Sequence, residues 1–195
     1  MESLFSIYLD LGFDHILDVN GYDHILFLVA LCAIYQIEDW KKVVLLATAF
    51  TVGHSLTLAM AALDMVRFPT ASIEVLIPVT IFCTALYNVI QRKQNTTSDY
   101  WIYILAIVFG FIHGMGFSNF FKAAMMPGME EDLLLQLFAF NLGIELGQLI
   151  IIGIILMLAT VFLKILQVPH REWNLFISGA AAGVAFTMMM ERFLA

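Results

Sequence analysis

Hydrophobic residues run in six long blocks, at about 21–37, 42–63, 71–91, 101–124, 132–163 and 173–193, with most polar residues in the gaps between them. Each block approaches the ~20 residues that an α-helix needs to cross a hydrocarbon core. The pattern predicts an all-α polytopic membrane protein, one bundle of about six transmembrane helices over residues 1–195. The first block is short when counted from Gly21, and the fifth is long enough to project from the bilayer or break. Residues 1–19 differ: Leu4, Phe5, Ile7, Tyr8, Leu11, Phe13, Ile16 and Leu17 alternate with Glu2, Asp10, Asp14, His15 and Asp18. That stretch is too interrupted to span alone. With no Lys or Arg it is poorly suited to anionic lipid heads, so a short surface helix, or a lid over the mouth of the bundle, is expected.

The connections carry ordinary punctuation. Trp40 is an interfacial anchor between Gln36 and Lys42, Pro69 follows Arg67-Phe68, and residues 91–99 are the most polar stretch. Pro127-Gly128 precedes Glu130, Glu131 and Asp132, and Pro169 lies between Gln167 and Trp173. Composition agrees with the pattern: 62% of the residues are hydrophobic and 13% charged, more apolar surface than a soluble domain of this length can hide. Cys32 and Cys83 both sit inside apolar blocks and read as small core residues. Met1-Glu2-Ser3-Leu4 lacks a basic n-region, so the first span is expected to direct insertion.

Charge gives an orientation. Lys41, Lys42, Arg92, Lys93, Lys164 and Arg171 fall in the first, third and fifth connections, leaving Arg67, Lys122 and Arg192 for the opposite side. The positive-inside rule then places both termini outside the cytoplasm, as in a bacterial inner-membrane protein. Glu38, Asp39, Asp99 and Glu172 lie on the cytoplasmic side; the other acidic residues are extracytoplasmic or within the membrane. An acidic outer vestibule of this kind concentrates cations.

Ionisable groups inside a span are costly and therefore candidates for function. Asp23 and His24 open the first span, and Glu74 stands near the outer start of the third. His54 lies nine residues below the outer end of the second span, about 13 Å at a 1.5 Å rise. His113 lies eleven residues down the fourth, and Glu145 about thirteen into the fifth. These depths describe a funnel, open to the outside and converging near the middle of the membrane. Thr48, Thr51 and Ser55 give the second span a polar face beside His54, and Asn141, Glu145 and Gln148 do the same in the fifth. Gly110 and Gly114 flank His113 at a spacing that lets helices approach closely; Gly179 and Gly183 read as packing alone.

Each residue also has an ordinary structural reading. A lone intramembrane histidine can simply hydrogen-bond a neighbouring helix. Ser, Thr, Asn and Gln stripes are common helix glue. Asp14, His15, Asp18 and Asp23 could form a solvated acidic rim. The joint occurrence favours chemistry, because four of the five histidines (His15, His24, His54 and His113) fall in or just above the funnel. Neutral imidazole with carboxylate suits Ni²⁺, Co²⁺, Zn²⁺ or Cu²⁺. Met125, Met126 and Met129 could capture a soft metal at the outer loop, and Met188 to Met190 read as core. No glycine-rich phosphate loop and no nucleic-acid-binding pattern is present.

Three stretches resemble the HupE/UreJ family of small membrane proteins: His15 through Leu28 (HILDVNGYDHILFL), Thr48 through Leu58 (TAFTVGHSLTL) and Gly110 through Phe117 (GFIHGMGF). The resemblance covers about residues 12–120, and the pattern of spans carries it to the end of the chain. The five residues Ile16 to Asn20 before Gly21-Tyr22-Asp23-His24, and the single His-Gly in the fourth span, place the chain in a second branch. The resemblance implies nickel or cobalt uptake, with the His and Asp of the first span implicated in metal transport. A divalent-metal permease is therefore expected. Asp23, His24 and His15 would capture the ion, His54 and His113 would relay or ligate it, and Glu145 would offset its charge or carry a coupled proton. The alternatives are a membrane-embedded zinc hydrolase using the same cluster with Ser55 close by, and a structural or assembly subunit without a site. The expected partners are the metal ion and the lipid bilayer, with a homo-oligomer left open.

Overall fold

A computed structural model describes residues 3–19, 21–66, 69–90, 100–124 and 132–194. Arg67, the polar connection 91–99, the methionines Met125, Met126 and Met129, and Pro127 through Glu131 lie outside the described residues. Seven α-helices follow one another: α1 (Leu4–Leu17), α2 (Asp23–Cys32), α3 (Trp40–Ala62), α4 (Thr70–Ile90), α5 (Tyr100–Ala124), α6 (Leu133–Thr160) and α7 (His170–Leu194), with no strand among the described residues. α3 to α7 are each long and apolar enough to cross a membrane, which makes this an integral membrane protein.

The expected first span is helical over only ten residues. At 1.5 Å per residue, α2 covers about 15 Å, half of a ~30 Å hydrocarbon core. α1 and α2 lie in series along α5. Ring pairs read in order down that helix: Tyr8 meets Phe121 at 6.1 Å, His15 meets Phe117 at 3.7 Å, His24 meets His113 at 5.3 Å and Phe27 meets Phe109 at 6.0 Å. α1 and α2 therefore form one broken helix beside α5. α1 ends at Asp18, whose backbone is extended (φ −63°, ψ 113°), and Gly21 precedes α2. Non-helical backbone inside a membrane protein is tolerated where it lines a cavity, and Asp18 and Gly21 both do so.

Glycine sets the closest helix pairs. α1 buries Tyr8, Gly12 and Ile16 along one face, and that face lies along α6. A Cβ on Gly12 would stand 2.8 Å from the Phe140 carbonyl carbon, and one on Gly143 2.8 Å from the Phe13 nitrogen. The N-terminal helix thus packs lengthwise into the bundle, because Gly12 and Gly143 remove the side chains that would hold the backbones apart. α3 and α5 are pressed together in the same way. A Cβ on Gly53 would meet the Ile107 carbonyl carbon at 2.9 Å, and one on Gly110 the Phe50 carbonyl carbon at 2.7 Å. Gly179 and Gly183, expected to pack, have nothing within 4 Å of a Cβ.

The end of the bundle that holds Glu74 and Arg192 is called the mouth here; the far end is tied by polar contacts. Asn88 donates to Ala30 O at 2.7 Å, adding a second bond to a carbonyl that also accepts the longer 3.3 Å contact from Ala33 N–H at the end of α2. Asn174 donates to Asn88 O at 2.8 Å, and Ser178 to Asn174 Oδ1 at 2.8 Å, pinning α2, α4 and α7 together. α6 passes into a π-helical turn, Val161–Ile165, where Lys164 pairs with Glu38. That ammonium holds the exposed Glu38 carboxyl below its ordinary range.

Candidate metal centre

The break between α1 and α2 brings together two histidines nine positions apart in the chain. His15 closes the last turn of α1 and His24 opens the first turn of α2. His54 reaches the same point from the middle of α3, held there by the Gly53 and Gly110 contacts. One ring nitrogen from each of His15, His24 and His54 lies within 4.8 Å of the other two. His113 stands beside them, with its ring 5.3 Å from that of His24. His15, His24 and His113 border a cavity of about 590 Å³ that opens at the mouth, with Asp14, Asp18, Asp23 and Glu74 also on its wall, while His54 lies behind them, fully buried.

Hydrogen bonding leaves these imidazoles available. His113 Nδ1 lies 2.9 Å from Phe109 O. A carbonyl can only accept, so Nδ1 carries the proton and Nε2 keeps its lone pair. That Nε2, His15 Nε2, His24 Nε2 and both nitrogens of His54 are buried with no hydrogen-bond partner among the described residues. Leaving so many polar atoms unsatisfied costs of order 1–3 kcal/mol each, which argues for a ligand that takes their lone pairs. Three donors at ~2.0–2.2 Å from one ion stand about 3.3–3.8 Å apart, so a group whose ligand atoms lie within 4.8 Å of one another must draw in by up to about 1–1.5 Å to share it. The three histidines fit a transition-metal ion.

Asp23 supplies the nearby negative charge. Its Oδ1 accepts the His24 backbone N–H at 2.9 Å and stands 3.0 Å from His24 Nδ1. Its Oδ2 is 3.8 Å from Arg192 Nη2, and Arg192 Nη1 donates to Glu74 O at 2.7 Å. The sequence pattern did not mark Arg192, which lies far along the chain at the end of α7. Aromatic rings complete the enclosure. Phe117 and Phe140 line the α5 and α6 sides, at 3.7 Å from His15 and 6.4 Å from His54. Phe27 stacks on Phe50 at 4.9 Å and lies 5.6 Å from His113, forming a floor. Beyond it is a second, mostly apolar cavity of about 360 Å³, bordered by Cys83, Tyr35 and Asn88. Cys83 is thus exposed on a cavity wall rather than buried in the core.

The remaining expected site residues lie elsewhere. Glu145 accepts from Thr48 Oγ1 at 2.6 Å and Thr51 Oγ1 at 2.7 Å, across the α3–α6 seam. Gln148 joins that group through Thr51 at 3.0 Å. Asn141 donates to Leu137 O and Ser55 to Thr51 O, both within their own helices. Asp14 and Asp18 are exposed at the rim, as is Glu74.

A family model described as HupE / UreJ protein matches residues 1–194. Neither the curated proteins nor the solved structures yield a match.

Proposed function

Because this chain belongs to the HupE/UreJ family, we propose that it is a permease for a divalent transition-metal ion of the nickel or cobalt kind. Family membership supports metal transport in general; the assignment of a site is our own reading. One observation carries it: His15, His24 and His54 bring together ring nitrogens that have no partner among the described residues, and His15 and His24 open onto the cavity at the mouth. In this reading the mouth faces outward from a bacterial inner membrane, with both termini extracytoplasmic, as the distribution of Lys and Arg implies.

The route follows from the chemistry of the wall. Asp14, Asp18 and Glu74 at the rim draw cations toward the cavity. His15 and His24 take the ion with Asp23 as the compensating charge, since a dication among neutral rings needs an anion close by. His54 is the third ligand, and His113 offers a position deeper along α5. Imidazole donors select Ni²⁺, Co²⁺ or Zn²⁺ over Mg²⁺ and Ca²⁺, which require oxygen. Onward passage needs the Phe27 floor to move, because the ring stands between the histidines and the inner cavity.

The same floor favours a second reading, a zinc-dependent hydrolase that retains its ion. Against it, Ser55 donates back to the Thr51 carbonyl at 2.7 Å. Purified protein reconstituted in sealed vesicles separates the two. The permease reading predicts accumulation of ⁶³Ni or ⁵⁷Co in the lumen, abolished by His24→Ala and by His54→Ala. Stoichiometric bound metal with no accumulation would replace it with the hydrolase reading.

A further inference from the structure

A second group of polar side chains lies apart from the histidines, at the α3–α6 seam. Glu145 stands near the middle of α6, half-buried, with exposed apolar neighbours Leu146 and Leu149 on its own helix and Val52 on α3. A bare carboxylate facing hydrocarbon is expensive. Two threonines reduce the cost by donating to it, Thr48 at 2.6 Å and Thr51 at 2.7 Å, one to each oxygen.

Each of those hydroxyls has another acceptor in range. Thr48 Oγ1 lies 3.1 Å from Val44 O, and Thr51 Oγ1 3.2 Å from Ala47 O, the carbonyls one turn back. A hydroxyl has one proton and can serve one acceptor fully at a time. The network therefore has two satisfied arrangements. With Glu145 ionised, both hydroxyls point at the carboxylate. With Glu145 protonated, its O–H donates to one threonine oxygen, and that threonine turns its own proton to the i−4 carbonyl. Switching needs only rotation about two side-chain bonds. Gln148, fully buried, adds an independent observation. Its Oε1 is 3.0 Å from Thr51 Oγ1, while its Nε2 has no partner among the described residues. The amide turned over places N–H against Thr51 Oγ1, so that Gln148 donates to Thr51 and Thr51 to Glu145.

We propose that Glu145, with Thr48, Thr51 and Gln148, is a reversible proton-binding site within the membrane, separate from the metal site. Its consequence for transport rests on the permease reading: one proton bound and released at Glu145 couples metal movement to the proton gradient. α3 links the sites, since Thr51 and His54 lie one turn apart on the same helix. Titratable groups on the elements packed against α6 are His54, Lys41 and Lys42 on α3, Asp10, Asp14 and His15 on α1, and Asp23 and His24 on α2. At the far end are Glu38, Asp39 and Lys164. Among the described residues, the hydrogen-bond partners of Glu145 are Thr48 and Thr51.

An apolar carbodiimide, which reacts with protonated carboxyls in lipid, gives the first measurement on the full chain in vesicles. Peptide mass spectrometry is expected to find Glu145 labelled at low pH and progressively less as pH rises. The Thr48→Val, Thr51→Val double variant removes the donors to the ionised form, so Glu145 is labelled more extensively than in the wild type at the same pH. Labelling of Glu145 that is absent at every pH, or independent of pH, overturns the site. The second measurement is metal uptake with and without an imposed proton gradient. Glu145→Gln is expected to keep its metal affinity within about twofold and lose the several-fold response to the gradient. A wild-type gradient response in Glu145→Gln overturns the coupling. Absence of uptake by the wild type would instead overturn the permease reading, leaving the labelling result to judge the proton site.

Discussion

Gly110→Ala tests how the metal site is held together, at a residue that touches no metal. A Cβ there would lie 2.7 Å from the Phe50 carbonyl carbon, against ordinary carbon–carbon contacts of about 3.5–4.0 Å. The obstacle is helix backbone, which cannot turn aside, so α3 and α5 must separate by about 1 Å. That shift carries His54, one turn from Phe50, away from His15 and His24, which lie against Phe117 and His113 of α5. Metal–ligand bond lengths vary by only about 0.2 Å, so a further displacement of about 1 Å adds directly to the closure the donors already need. The expected result is a loss of metal affinity of about 10–100-fold, the range seen when the support of a ligand is disturbed. Overpacking should also cost about 1–3 kcal/mol of stability. Affinity is read by competition with a metal-binding dye in detergent, and stability by thermal unfolding without metal. Gly153→Ala, which has nothing within 4 Å, is the control and should leave both unchanged. Wild-type affinity in a folded Gly110→Ala protein would refute the claim that this backbone contact positions the histidines.

Other substitutions probe other parts. Gly12→Ala should push α1 away from Phe140 and carry His15 with it, lowering metal affinity and costing about 1–3 kcal/mol by thermal unfolding. Asp23→Asn keeps the shape but removes the anion beside His24; metal titration should show a loss of about 10–100-fold with little change in the unfolding temperature. Phe27→Ala removes the buried floor ring, costing about 3–5 kcal/mol. In vesicles it should let a charged thiol reagent added at the mouth reach Cys83, which the wild type shields.

Much of the fold was legible in the sequence because lipid imposes simple rules on a spanning helix. The long apolar blocks over α3 to α7 needed only length and hydropathy. The N-terminal pair of helices was harder to read. Its first member, α1, carries Asp10, Asp14 and His15, whose polarity looks like a surface helix until Gly12 and Gly143 are seen to seat it on α6. Residues 18–22, with Asp18 and Gly21, gave a visible break signal, but periodicity cannot tell a break between spans from one within a span. The histidines stood out because each is an expensive group in an apolar block. Arg192 did not, since a cation at a helix end is ordinary. Glu145 was equally conspicuous, and its spacing from Gln148 marked the right face. Depth alone placed it with the histidines, whereas rotation of α6 about its own axis turns it toward Thr48 and Thr51.

The central claim is that His15, His24 and His54 share one metal ion, and X-ray absorption on the loaded protein tests it most directly. With Zn²⁺ as the probe, one ion per chain should be retained. Its inner shell should be dominated by imidazole nitrogens at ~2.0–2.1 Å, and His54→Ala should reduce that contribution. A wild-type protein that retains no ion, or one whose ion has an all-oxygen shell indifferent to His54→Ala, would contradict the account.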